Sequence, residues 1–123
     1  MKALTIKQPF ASLIINQYKK YEFRTWKTNY RGKIYIHAGL GISKEDIIRF
    51  ETYNLDYTLG AIIGEAEIID CILVDEEFKN KILQENEEVY KNGSGYAFVL
   101  TNIKKYEKPI YCKGKLSLWN YEI

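Results

Sequence analysis

Gln17-Tyr18-Lys19-Lys20-Tyr21-Glu22-Phe23-Arg24 is the stretch on which the reading of this chain turns. Before it, apolar residues recur with helical spacing: Phe10, Leu13, Ile14 and Tyr18 fall at i, i+3, i+4 and i+8, and Ala11 and Ile15 widen the stripe until the helix is apolar nearly all round. Asn16-Gln17 is its polar end, and from Lys19 the period changes to two. Tyr21 and Phe23 then alternate with Glu22 and Arg24, so a strand sends the aromatics into the core and presents acid and base side by side on the open face. Arg24 offers a fork to a phosphate or carboxylate, Glu22 accepts a proton or an exocyclic amine, and Lys19 supplies a cation or, once desolvated, a base. Spacing alone leaves a plainer alternative open: a Glu/Arg pair two apart on a strand is ordinarily a solvated ion pair contributing under about 1 kcal/mol.

Outward from this stretch the chain reads as short strands with three helices between them. Ala3 to Lys7 is a strand, and Pro9 suits the first helical position, where its missing N–H costs nothing. Lys7 and Gln8 stand at the N-terminus of that helix, where free amides favour an anion. Asn29 to Gly32 is a turn, and Lys33 to Ala38 alternates as a second strand that Gly39 and Gly41 should end. Ser43-Lys44-Glu45-Asp46 has capping-box spacing and opens a helix carrying Ile47, Ile48, Phe50 and Tyr53. Leu59 to Val74 is the longest strand-rich run, with Gly60 and Gly64 as bend or bulge points. Asp75 caps an acidic third helix that turns Phe78, Ile82 and Leu83 inward and frays into Asn92-Gly93-Ser94-Gly95. Tyr96 to Tyr106 and Ile110 to Lys113 are strands about a turn at Lys108-Pro109, and Leu116 to Trp119 closes the chain. The expected fold class is α+β, a mixed β-barrel of about five to six strands with about three appended helices, rather than a βαβ parallel sheet.

The 123 residues suit one hydrophobic core, so a single domain spanning 1–123 is expected. Apolar residues at 46% are too many for a disordered chain. No apolar run approaches the roughly 18 residues of a membrane span, and the N-terminus enters a strand without a signal-peptide pattern, which favours a cytoplasmic protein. Cys71 and Cys112 lie in strand-like apolar contexts with no C-x-x-C partner, and read as buried free thiols; with His37 the only histidine, no metal site is expected. Charge is segregated. Met1 to His37 holds eight Lys/Arg against Glu22, Ser43 to Lys91 holds five against thirteen acids, and Ile103 to Ser117 holds five lysines against Glu107. If the two ends pair in the sheet, one face is basic and draws phosphate.

Lys19-x-x-Glu22-x-Arg24 resembles the K-x-x-E-x-R part of the G-x-K-x-x-E-x-R signature of ASCH domains, a family similar to the PUA RNA-binding barrel. Three further stretches look like the same family in the same order: Leu4 to Ala11, Arg31 to Ala38 and Gly114 to Trp119. The resemblance spans nearly the whole chain and departs at Gln17, where the signature has glycine. If that glycine serves a positive φ or a close ligand approach, Gln17 narrows the site or shifts the turn. The resemblance implies a PUA-like fold, a cleft between barrel and first helix lined by the signature and faced by Lys7 and Gln8, and a role in RNA binding linked to translation or RNA processing. Some bacterial members are amidohydrolases that deacetylate N4-acetylcytidine, with the signature lysine catalytic and a threonine where this chain has Glu22. That threonine is absent here, and no motif singles out their further catalytic glutamate among Glu65, Glu67, Glu85, Glu87 and Glu88.

The leading expectation is a non-catalytic RNA- or nucleotide-binding module without a cofactor. Lys19, Arg24, Lys7 and Arg31 hold phosphates, Glu22 and Gln8 meet a base edge, and Trp26 walls the site. The alternative is an amidohydrolase acting on a modified pyrimidine nucleoside, with Lys19 as nucleophile or general base and Glu22 as proton carrier. A third expectation is a protein partner for the acidic helix around Glu76 to Glu88. Trp119 is read as packing and His37 as a barrel-wall hydrogen bond.

Overall fold

The computed structural model describes every residue from Met1 to Ile123. In chain order come β1 (Lys2–Gln8), α1 (Phe10–Ile15), β2 (Tyr21–Arg24), β3 (Gly32–Ile42), α2 (Lys44–Arg49) followed by a 3-10 turn (Glu51–Tyr53), β4 (Ala61–Leu73), α3 (Glu76–Glu85), α4 (Glu87–Tyr90), β5 (Tyr96–Tyr111) and β6 (Leu118–Asn120). The strands make one mixed sheet in the order β2-β5-β4-β3-β1-β6. β1 and β3 are parallel, and every other neighbouring pair is antiparallel. The basic N-terminal strand therefore lies directly beside the chain end, with Leu4 opposite Leu118.

Register shifts at Ile36/His37, Ile62/Gly64, Glu65/Glu67 and Ile68/Asp70 place bulges in the long central strands. Bulges increase local twist, and the sheet wraps around α1, which touches β1, β3, β4 and β5. The sheet stays open. Its edges, β2 and β6, are only four and three residues long and do not meet, so the fold is barrel-like rather than a closed barrel. Gly64 faces α1 at a point of close approach, where an added Cβ would collide with the Lys104 carbonyl and with Ile15. α1 is buried over Ala11 to Ile15, as its all-round apolar pattern requires.

The main core joins α1 to the concave face through Ile14, Ile34, Ile36, Ile68 and Phe98. A second cluster of Leu13, Tyr21, Phe50, Ile82 and Tyr90 fixes α3 and α4 against the start of β2. Ala3, Tyr35, Ile62 and Trp119 form a third on the opposite face. β3 is consequently buried on both faces from Ile34 to Gly39. The cap signals are realised: Ser43 accepts from the Asp46 N–H, and Asp75 accepts from the Phe78 N–H at 2.8 Å.

Five local expectations are corrected. Gly39 and Gly41 do not end β3, which continues to Ile42 beside Gln8; a Cβ on Gly39 would stand 2.9 Å from Thr5 Cγ2, so close strand approach is what requires glycine there. Lys108-Pro109 is not a turn between two strands. β5 runs unbroken, and residues 106–109 bulge out between the Gly64↔Lys105 and Ile62↔Ile110 pairs, where a proline without an N–H takes nothing from the ladder. The acidic helix does not fray, because Asn86 accepts from the Val89 N–H and caps α4, making four helices in place of about three. Cys71 and Cys112 are free thiols, half-buried rather than buried. Pro9 caps α1 instead of opening it. No helix is long and apolar enough to cross a membrane.

Candidate functional site

α1 stops at Ile15, and the chain reverses over Asn16 to Lys19 with the N–H groups of Gln17 and Tyr18 donating to the Ile14 and Leu13 carbonyls at 3.0 and 2.8 Å. Gln17 has φ +66, in the left-handed region that glycine adopts freely. The turn thus takes a conformation open to glycine at this position, and the exposed Gln17 side chain lies outside the cleft that Lys19 lines. Gln17 strains the turn without narrowing the site.

The reversal tucks Lys19 inward. Its Nζ lies 2.9 Å from Glu22 Oε1, and the two side chains are only 5% and 8% exposed. Arg24 Nε donates to Glu22 Oε2 at 3.0 Å, and its terminal nitrogen lies 3.0 Å from the same oxygen and 2.6 Å from the Thr5 carbonyl. The Lys19 ammonium sits over the rings of Phe10 and Phe23, 4.9 and 5.3 Å from their centroids. The expected open acid–base face is therefore a buried network in which one carboxylate is matched by two cations. It is buried because Phe10 covers it from α1 while Gly93, beyond α4, packs its backbone on the Phe23 ring. Removed from water, such groups are held in one geometry and interact more strongly than a surface pair.

Above the network opens a cleft of about 520 Å³. Lys7 is exposed at its mouth, Trp26 forms a wall with its ring edge-on to Phe98 at 5.1 Å, and Asn92-Gly93 forms the far side. Lys79 on α3 holds that far side by donating to the carbonyls of Tyr90, Lys91 and Gly93 at 3.2, 2.7 and 2.7 Å. Burial pulls the Lys79 amine below its usual pKa. Tyr90 ties the same wall to β2 by accepting the Lys20 N–H at 2.9 Å, and burial pushes its hydroxyl up to about 12.

Of the residues read from the sequence, Lys7, Lys19, Glu22, Arg24 and Trp26 line this cleft, and Gln8 and Arg31 do not. Gln8 is fully buried. Its Oε1 accepts the Ser12 N–H and its Nε2 donates to the Thr58 carbonyl, so it caps α1 and has no edge left for a base. Arg31 donates to the Thr28 and Tyr30 carbonyls and faces Asp70 at 3.6 Å, which spends it on the β2–β3 connection. Arg49 was missed. It enters the cleft from the last turn of α2, fixed by Asp46 at 3.0 Å and the Glu88 carbonyl at 3.0 Å, with its guanidinium 4.3 Å over Phe50. Its only sequence signal was an arginine beside a phenylalanine in an otherwise acidic stretch. None of Glu65, Glu67, Glu85, Glu87 and Glu88 reaches the cleft.

His37 is buried in a closed chain of hydrogen bonds. Its Nε2 faces the Cys112 carbonyl at 2.8 Å, and a carbonyl only accepts, so Nε2 carries the proton and Nδ1 accepts from the Thr5 hydroxyl at 3.2 Å. The Thr5 oxygen in turn accepts from Trp119 Nε1 at 3.1 Å, which places Trp119 as packing.

The family model of the ASCH domain matches residues 4–110. Activating signal cointegrator 1 of Mus musculus and that of Homo sapiens are each 28% identical over 131 residues, covering 97% of this chain and 22% of the relative. The chain thus spans about a fifth of the length of these relatives. The crystal structure of ASCH from Zymomonas mobilis superposes with a TM-score of 0.56 at 18% identity, over 89% of this chain and 72% of that one, and a mutant of the same protein superposes at 0.55. At that identity the likeness is one of fold.

Proposed function

The chain belongs to the ASCH domain family, and from that premise we propose that it binds RNA or a nucleotide, taking a base into the cleft above Lys19, Glu22 and Arg24. The observation that carries this reading is the charge of the cleft. Glu22 is the only acid lining it and is outweighed by Lys19 and Arg24, Arg49 is paired with Asp46, and Lys7 has no acid partner, so the hollow is positive. Lys7 at the mouth is the phosphate contact, and Arg49 is the second cation in reach of it. A base edge meets the floor: Glu22 Oε1, which receives Lys19 alone, retains a lone pair for an exocyclic amine, and the Lys19 ammonium retains N–H groups for a ring nitrogen or carbonyl. Trp26 supplies an apolar wall for stacking.

Fluorescence anisotropy with a labelled single-stranded RNA at two salt concentrations tests this reading. Binding at low salt, weakened by Lys7→Ala and by Lys19→Met in variants that retain the native circular dichroism, is the expected result. No binding at low salt, or binding indifferent to both changes, overturns it.

One observation favours a second, catalytic reading. Lys19 is held between two rings with a carboxylate 2.9 Å away, a pair suited to moving a proton on a modified nucleoside. Against it, that carboxylate also binds Arg24 and no other carboxylate lines the cleft. Incubation with N4-acetylcytidine at high protein concentration is expected to yield no cytidine, and product that disappears in Lys19→Met would move the assignment to catalysis.

A further inference from the structure

Beside the cleft lies a second hollow of about 720 Å³, formed by the ends of β1 and β3 and by the 112–116 segment. Its size falls within the range of roughly 300–1,000 Å³ common to sites for small ligands. Thr5 lines both hollows: its carbonyl receives Arg24 on the side of the first, and its hydroxyl meets His37 on the side of the second. Lys7, which lines the first hollow, has its stem 3.7 Å from where a Cβ on Gly41 would stand, one residue beyond Leu40 of the second. The two hollows are thus neighbours along one rim.

Resting on the reading of the first cleft as a nucleic-acid site, we propose that this hollow is an adjoining nucleotide subsite, so that the ligand is a single-stranded nucleic acid crossing Thr5 rather than an isolated nucleotide. The first argument is the distribution of charge. The chain has sixteen acids, and none lines the second hollow, whereas Lys113 and Lys115 do. Together the two hollows are lined by Lys7, Lys19, Arg24, Lys113 and Lys115 against Glu22, and by Arg49, which Asp46 pairs. Lys7, Lys113 and Lys115 take part in no ion pair, although lysines elsewhere do, so these three remain available to phosphates.

The second argument is the chemistry of the walls. Leu40 and Leu116 flank the hollow at 78% and 92% exposure, an apolar surface with no partner inside the molecule. The floor offers no competing demand, because the hydrogen bonds of Thr5 and His37 are already closed. Aliphatic walls beside two cations suit an unstacked base and its adjoining phosphates through apolar contact and charge, without an aromatic stacking platform. A concave site of this kind admits splayed bases and not the stacked interior of a duplex.

The test compares a labelled mononucleotide, dinucleotide and hexanucleotide of RNA on the full chain, with the double variant Lys113→Ala/Lys115→Ala and, separately, Leu116→Asp. Both sets of changes lie on exposed positions, and circular dichroism verifies their folding. The hexanucleotide is expected to bind at least tenfold more tightly than the mononucleotide. The double variant should lose about tenfold in hexanucleotide affinity at low salt, with the slope of log K against log salt reduced by about 1.4, as for two phosphates on a single strand. Its mononucleotide affinity should be unchanged, and Leu116→Asp should weaken only the longer ligands. A mononucleotide that binds while the hexanucleotide gains nothing overturns the subsite and leaves the first cleft standing. Hexanucleotide binding indifferent to the double variant overturns it too, as does an acidic, leucine-bearing peptide that takes the hollow without displacing RNA. Absence of binding at every length overturns both readings together.

Discussion

Glu22 receives Lys19 on one oxygen and Arg24 on the other, so its removal leaves the buried Lys19 ammonium between Phe10 and Phe23 without an anion and Arg24 with the Thr5 carbonyl alone. Glu22→Ala should therefore cost about 3–5 kcal/mol, seen as a lowered urea midpoint at unchanged m-value. A cost under about 1 kcal/mol would mean that the network is solvated as an ordinary surface pair. Gln17 is strained in the opposite sense. A non-glycine residue at φ +66 costs about 1 kcal/mol, and its side chain lies outside the cleft. Gln17→Gly should stabilise the protein by about that amount and leave RNA affinity unchanged, and a loss of either would assign the Gln17 side chain a role of its own. At this scale the trio was legible because residue type and spacing are local properties. Burial was not, since it depends on Phe10 and on Gly93, about seventy residues further along the chain. Gln8 shows the same limit: its position before a helix was readable, and its full use by Ser12 and Thr58 was not.

α3 and α4 act on the site as a brace. One ammonium, Lys79, gathers three carbonyls at the end of α4, and one hydroxyl, that of Tyr90, receives the first N–H of the β2 approach. Lys79→Met should speed amide exchange across 90–95 about tenfold while α3, capped by Asp75, keeps its protection, as read by hydrogen–deuterium exchange. Equal loosening of α3 would mean that the lysine supports the helix and not the wall. The Tyr90 hydroxyl, pushed by burial to about 12, sets an alkaline limit. The unfolded chain releases this proton near 10, so the folded state retains it more strongly between the two values. Stability from Tyr90 is complete below pH 10 and is lost as pH rises toward about 12, by roughly 3 kcal/mol at most. Burial and the bond to Glu65 raise Tyr106 in the same direction, so Tyr90→Phe should flatten the high-pH decline in part. An unchanged decline would place its cause elsewhere. At the scale of elements, helices and caps were readable because their period and end signals are short-range. The turn assigned to Lys108-Pro109 failed because the same residues serve as a bulge once β4 is present to carry the ladder past them.

Over the whole molecule the net charge is only +2, yet the acids and bases are sorted, and the pairing of β1 with β6 brings the basic N-terminal strand beside the chain end. If Lys7, Lys113 and Lys115 each neutralise one phosphate, raising salt fourfold should lower affinity for a single strand about 20-fold. Affinity insensitive to salt would remove electrostatics as the basis of binding. The sequence by itself determined the α+β class, most of the order of strands and helices, and the Lys19-Glu22-Arg24 spacing, because these follow from periodicity, turn chemistry and motif within a few residues. Only the tertiary structure decided that the sheet stays open, that the trio is buried and mutually compensated, that Arg49 enters the cleft while Gln8 and Arg31 do not, and that Thr5 stands between two hollows. Each of those depends on residues far apart in sequence packing within a few ångströms, where burial and the hydrogen bonds already made decide which groups remain free for a ligand.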